Sequence, residues 1–110
     1  MKVAVVGSRT IRKIDLDAWL PNNTRAIITG GAAGVDTCAM AYARQKGLQL
    51  IIFYPDYKQH GRGAPLKRND CIVKAADLVI AFWDGKSRGT SYTIGKAHQE
   101  GKPCRVVKLS

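Results

Sequence analysis

Residues 25–47 read RAIITGGAAGVDTCAMAYARQKG. A β-branched run ends at Thr29, the next five positions hold only Gly and Ala, and then Val35, Cys38, Ala39, Tyr42 and Ala43 recur at i, i+3, i+4, i+7 and i+8. That pattern is a strand, a turn almost bare of side chains, and an amphipathic helix that Gly47 ends. A strand handed to a helix through such a turn is half of a βαβ unit, so the remaining chain decides the fold by repeating it or not.

It repeats it. Lys2 to Val6 is a β-branched run that stops at Gly7, and Asp15 to Leu20 has room for a short helix before Pro21. Leu48 to Tyr54 (LQLIIFY) is a continuous apolar run, which predicts a strand covered on both faces. A polar loop, PDYKQHGRGAP, leads to a helix from about Leu66 to Ala76. Asp77 to Trp83 (DLVIAFW) predicts another buried strand, and the loop DGKSRGTSYT opens a helix that runs to about Glu100. Gly101 and Pro103 end that helix, and Arg105 to Leu109 is a last strand. The alternation predicts an α/β protein: one Rossmann-like three-layer domain over residues 1–110, with a five-stranded, mostly parallel sheet in the order 3-2-1-4-5. Ligands of such sheets bind beyond the carboxyl ends of the strands where the order reverses, here between the first and fourth strands.

Composition narrows the function classes. Hydrophobic residues make up 45% and charged residues 24%, the balance of a folded globular protein. The start of the chain has too few apolar residues before Gly7 for a signal peptide, and no later run reaches membrane-span length, so a cytoplasmic protein with no membrane partner is expected. Cys38, Cys71 and Cys104 form no CxxC pair and have only two histidines for company, which predicts mostly buried thiols and no metal site. The formal net charge of +10 favours anionic or phosphorylated partners. Nine of the 18 basic residues (Arg9, Arg12, Lys13, Lys58, Arg62, Lys67, Arg68, Lys86 and Arg88) fall in or next to the loops that the topology gathers at one edge, predicting a positive mouth there.

Two turns carry the chemistry. In Gly30, Gly31, Ala32 and Gly34 the backbone amides are free to approach an anion on the positive end of the following helix, though small residues serve helix-on-sheet packing equally well. No GxGxxG frame fits, since Thr29 stands where a glycine is needed, and no GK[ST] follows. The second turn, Ser87 to Thr93, offers Gly89 with the hydroxyls of Ser87, Thr90, Ser91 and Thr93 for capping or for phosphate oxygens. Asp36 sits in a first helical turn, where the dipole stabilises a carboxylate whatever the function. Asp84 ends the fourth strand beside the switch point. Arg68 and Asn69 are candidates for clamping phosphate and base or sugar, and His60 and His98 lack any partner at a telling spacing.

Taken in order, GSRTI, TGGAAGVDTCAMAYA, GRGAPLKRN, ADLVIAFWDGKSRGTSYTIGKA and GKPCRVV resemble the YspA-related branch of the SLOG superfamily, which also includes DNA-processing protein A and the LONELY GUY phosphoribohydrolases. The resemblance implies a Rossmann-like domain whose pocket takes a nucleotide, a nucleotide derivative or nucleic acid, and needs no further cofactor. It implies ligand contacts from Gly7, Ser8 and Arg9, from the two Gly-rich turns, and from Arg62, Arg68 and Asn69. The catalytic Glu that LONELY GUY enzymes carry just after their GT dipeptide is missing here, since Ser91, Tyr92 and Thr93 follow Gly89-Thr90.

Three classes of function stay open on the sequence. The first is binding or sensing of a phosphorylated nucleotide derivative. The second is binding of single-stranded nucleic acid, with Tyr54, Tyr57, Trp83 and Tyr92 as stacking platforms. The third is a nucleotide-processing hydrolase in which Asp84 or Asp36 positions water or a ribose hydroxyl. Folds of this kind are commonly dimeric, so a homo-oligomer is an expectation by analogy.

Overall fold

The structure, a computed structural model, describes residues 1–109. Five strands, β1 (Lys2–Gly7), β2 (Ala26–Thr29), β3 (Gln49–Ile52), β4 (Leu78–Trp83) and β5 (Cys104–Lys108), form one sheet in the order β3-β2-β1-β4-β5. Every pairing is parallel, so each connection must cross over the sheet, and the crossovers supply its helical layers. This is the Rossmann-like α/β architecture, with the order reversal between β1 and β4.

Successive side chains of a strand point to opposite faces, and here they feed two separate cores. Val3, Val5, Ile27, Ile80 and Phe82 pack with Val35, Ala39 and Ala43 of helix α1 (Val35–Lys46). Ala4, Val6, Ile28, Val79 and Ala81 pack with Ile72 and Val73 of α3 (Ala64–Ala75) and Ala97 of α4 (Arg88–Gln99). The second face carries the smaller side chains, which lets two helices sit close to the sheet.

Several details differ from the sequence reading for physical reasons. The stretch from Asp15 to Leu20 gives only a 3₁₀ turn at Leu16–Ala18, which buries Leu16 and sets Trp19 edge-on to Phe82 with ring centroids 6.2 Å apart. The loop after β3 contains a one-turn helix, α2 (Tyr57–His60), capped by Asp56. α3 then starts two residues before the expected Leu66, with Pro65 in its first turn. β3 is not covered on both faces, because it is an edge strand: Leu50, Ile51 and Ile52 are only half-buried and Gln49 is exposed. Nor are the thiols buried. Cys38 and Cys104 are half-buried and Cys71 is exposed on α3. No helix is long and apolar enough to cross a membrane among the described residues.

Candidate functional site

The carboxyl ends of β1 and β4 part at the switch point, and a cavity of about 550 Å³ opens there on the α3/α4 side of the sheet. Val6, Gly7, Pro65 and Ile72 give it an apolar floor and side. Arg9, Thr10, Asp36, Arg68, Asn69, Asp84, Lys86, Ser87, Thr90 and Thr93 supply the polar side chains, and Ala32 and Gly89 complete the lining. Pro65, Arg68, Asn69 and Ile72 follow i, i+3, i+4, i+7 spacing, so one face of α3 forms a whole wall.

The first loop is tied down on both sides. The Ser8 amide donates to the Phe82 carbonyl at 3.0 Å, the Asp84 amide donates to the Ser8 hydroxyl at 3.1 Å, and the Ser8 carbonyl accepts from the Val35 amide at 3.4 Å. Ser8 is thus buried as a rivet between β1, β4 and α1 and does not line the cavity. Gly34 serves the same junction. Its φ of +78° and the backbone of Ser8 and Arg9, 2.5–2.6 Å from where a Cβ would stand, leave room for glycine only.

The two Gly-rich turns look alike in sequence and differ in the fold. In the turn before α1 the Ala32 amide donates to Asp36 Oδ2 at 3.1 Å, so the carboxylate of the helix's own first turn occupies the place expected for a ligand anion. Asp36 is only 6% exposed. Burial pushes its carboxyl up from the ordinary carboxylate range, and the Ala32 amide, the Thr29 hydroxyl, the Arg68 charge and the Gly30 amide oppose that shift without reversing it. Neither Asp36 Oδ1 nor Thr29 Oγ1 completes a hydrogen bond of normal geometry, although both are buried. Gly31, at φ +72°, lies against the Tyr54 ring, outside the cavity lining.

The turn before α4 is open. Ser87 caps the helix by accepting from the Thr90 amide, and Thr93 turns its hydroxyl back to the Gly89 carbonyl at 2.9 Å, so the hydroxyls serve the helix more than the cavity. The amides of Arg88 and Gly89 have no carbonyl within the helix to pair with, and Gly89 has nothing within 4 Å of where a Cβ would stand. Asp84 shapes this turn: its Oδ1 accepts from the amides of Lys86 and Ser87, both at 2.8 Å, and its Oδ2 accepts from the Thr10 hydroxyl at 3.0 Å. The two amides, chiefly, pull its pKa down to about 2.

Arg68 is held as firmly. Nη1 donates to the carbonyls of Gly30 and Phe53, and Nε donates to Asn69 Oδ1 at 2.8 Å, which fixes the guanidinium over the ends of β2 and β3. Burial lowers its pKa and the Asp36 charge works the other way. The positive mouth is smaller than the loops suggested: of the nine basic residues, Arg9, Arg68 and Lys86 line the cavity. Arg62 sits exposed in a 3₁₀ turn away from it. Trp83 is half-buried, and its indole N–H donates to the Ser87 carbonyl at 3.0 Å, which ties the ring to the turn before α4. No cluster of three or more His, Cys, Asp or Glu that could hold a metal ion occurs among the described residues. Val6, Thr10, Pro65 and Ile72 are the lining residues that the sequence reading missed, and Lys86 was expected only as one of the basic residues of the mouth.

Comparison with known proteins bears on what this cavity is. The "Gene 61 protein" of Mycobacterium phage D29 is 35% identical over 83 residues, a match covering 70% of this chain and 66% of that protein's length. No solved structure matches. The sequence profile of the YspA, cpYpsA-related SLOG family matches residues 1–60, which carry both the GSR loop and the Asp36 turn. With more than half of its length matched, the chain belongs to the YspA, cpYpsA-related SLOG family.

Proposed function

We propose that this chain binds a phosphorylated nucleotide or nucleotide derivative in the switch-point cavity, with a phosphate at the start of α4. The observation that carries this reading is the contrast between the two turns. Asp36 already fills the first, whereas the second presents unpaired amides, a helix dipole and Gly89 to a cavity flanked by Arg9 and Lys86. The apolar side made by Val6, Pro65 and Ile72 suits the flat face of a base, and the cavity volume suits a ligand of mononucleotide size. Membership of the SLOG family supports a nucleotide-related ligand.

Binding without turnover is the reading we favour for the two carboxylates. Asp84 directs both oxygens at groups of its own neighbourhood and stays ionised far below neutral pH, which suits a loop organiser better than a general base.

The Gly89→Asp variant tests the phosphate position. Position 89 lies in the first turn of α4 with open space around it, so an aspartate there gains helix propensity and dipole stabilisation worth about 0.5–1 kcal/mol while placing a negative charge where the phosphate goes. The variant is expected to melt slightly higher than the parent and to lose binding of 5′-mononucleotides in calorimetric titration. Undiminished affinity would remove the phosphate from α4, and product analysis after incubation with the same nucleotides would reveal any turnover.

A further inference from the structure

A second cavity, of about 360 Å³, lies on the other side of α3. Its walls include Tyr54, His60, Lys67, Cys71 and Lys74, and it shares one residue with the first cavity, Arg68. Because α3 turns one face to each cavity, the guanidinium of Arg68, pinned to the carbonyls of Gly30 and Phe53, stands at the boundary between them. Its Nη2 group makes no hydrogen bond among the described residues.

Ala32 lines the first cavity, Tyr54 lines the second, and Gly31 between them has no side chain, with the Tyr54 ring 2.6 Å from where its Cβ would be. Tyr54 is 67% exposed, the largest exposure of any large apolar or aromatic side chain among the described residues. Two acids also line this cavity, each with a hydrogen-bond donor of its own: Asp56 accepts from the Gln59 amide as the cap of α2, and Asp70 accepts from the Tyr92 hydroxyl at 2.8 Å. Lys67 and Lys74 form no ion pair among the described residues.

From this arrangement we infer that the ligand site continues past Arg68 into the second cavity and takes a nucleotide chain of at least two units, the second base stacking on Tyr54. Arg68 holds the phosphate that links the two units, and Lys67 and Lys74 face the backbone beyond it. An exposed aromatic ring beside unpaired lysines is the arrangement that single-stranded nucleic acids use, stacking giving grip without base specificity. A free mononucleotide leaves the second cavity unused. This inference rests on the binding reading above and adds the class of ligand to it.

The experiment compares 5′-AMP, pApA and pApApA in calorimetric titration against the parent chain, Tyr54→Ala and Tyr54→Phe. The parent is expected to bind pApA roughly tenfold or more tighter than 5′-AMP, the gain of one stacked base. Tyr54→Ala should abolish that gain and leave 5′-AMP affinity unchanged, and Tyr54→Phe, which keeps the ring, should restore it. A Lys67→Ser, Lys74→Ser double variant should flatten the salt dependence of pApApA binding by roughly 0.7 per cation removed. If 5′-AMP binds and pApA binds no tighter, or if the gain survives in Tyr54→Ala, the extended site is wrong while the nucleotide reading stands. If no nucleotide binds at all, both are wrong.

Discussion

Replacing Gly34 by Ala probes whether the junction of the first loop, β4 and α1 is as tight as it looks. Gly34 has φ +78° and ψ −123°, the mirror image of extended backbone, where an L-residue is strained by about 1–3 kcal/mol. Its Cβ would also stand 2.5 Å from the Ser8 carbonyl oxygen and 2.6 Å from both Cα and O of Arg9. All three are backbone atoms that cannot rotate away, so overpacking adds on the order of 1–3 kcal/mol. Gly47→Ala is the matched control: its φ of +68° is also positive, but nothing lies within 4 Å of its Cβ position, and the left-handed conformation alone costs about 1 kcal/mol. At about 4 °C per kcal/mol for a domain of this size, Gly34→Ala should lower the midpoint of thermal unfolding by roughly 8–24 °C and Gly47→Ala by about 4 °C. Circular dichroism melts of the two variants beside the parent measure this directly. Equal losses would mean that the loop around Ser8 and Arg9 yields freely, and the argument that it rigidly frames the cavity would fail.

Two further perturbations address the charged groups around the first turn. Burial raises the Asp36 pKa above its ordinary 3.8, so the fold favours the neutral acid; the contribution is full below the unfolded value and is lost as pH rises through the folded one. Asp36→Asn holds the neutral form at every pH, so its melting temperature relative to the parent should improve from about pH 4 to about pH 7, and a difference flat with pH would contradict the assignment. Arg68→Lys cannot reproduce the fork that reaches Gly30, Phe53 and Asn69 together, and the lost bonds should cost about 2 kcal/mol in urea unfolding. A lysine variant as stable as the parent would mean that the guanidinium is not the clamp described.

The parts of the fold that the sequence disclosed are those whose burial follows one clear period. The runs forming β1 and β4 are almost wholly buried, and α1 repeats its buried positions at helical spacing, so each has one reading. LQLIIFY misleads for the opposite reason: an apolar run reads alike in the centre and at the edge of a sheet, and only the strand order places β3 outermost, with Tyr54 in the open. Among the cavity residues, Ile72 was within reach, since it sits one helical turn beyond Arg68 and Asn69 on the same face of α3, and so was Val6, the last side chain of β1 before Gly7. Thr10 was not, because loop paths depend on hydrogen bonds such as the one to Asp84 that no spacing rule encodes.

The deeper lesson lies in the two glycine turns. A glycine-rich strand-to-helix turn is an anion site only while its amides are unclaimed, and an acid two residues after the last glycine can reach back to claim them, as Asp36 does with Ala32. The turn before α4 has Gly89 and Thr90 where such an acid would need to stand, and Asp84, the nearest carboxylate, is drawn off by the amides that precede the helix. One turn therefore carries its own acceptor and the other is left for a ligand. The same division explains why Arg68 bonds to carbonyls and to Asn69 and makes no close ion pair with Asp36: the carboxylate is already paired with its own loop, which leaves part of the guanidinium free at the boundary between the two cavities. The acceptor bound at the α1 turn is thus the protein's own carboxyl, and the positive groups around α4 and Arg68 are the ones left to recognise an incoming phosphate.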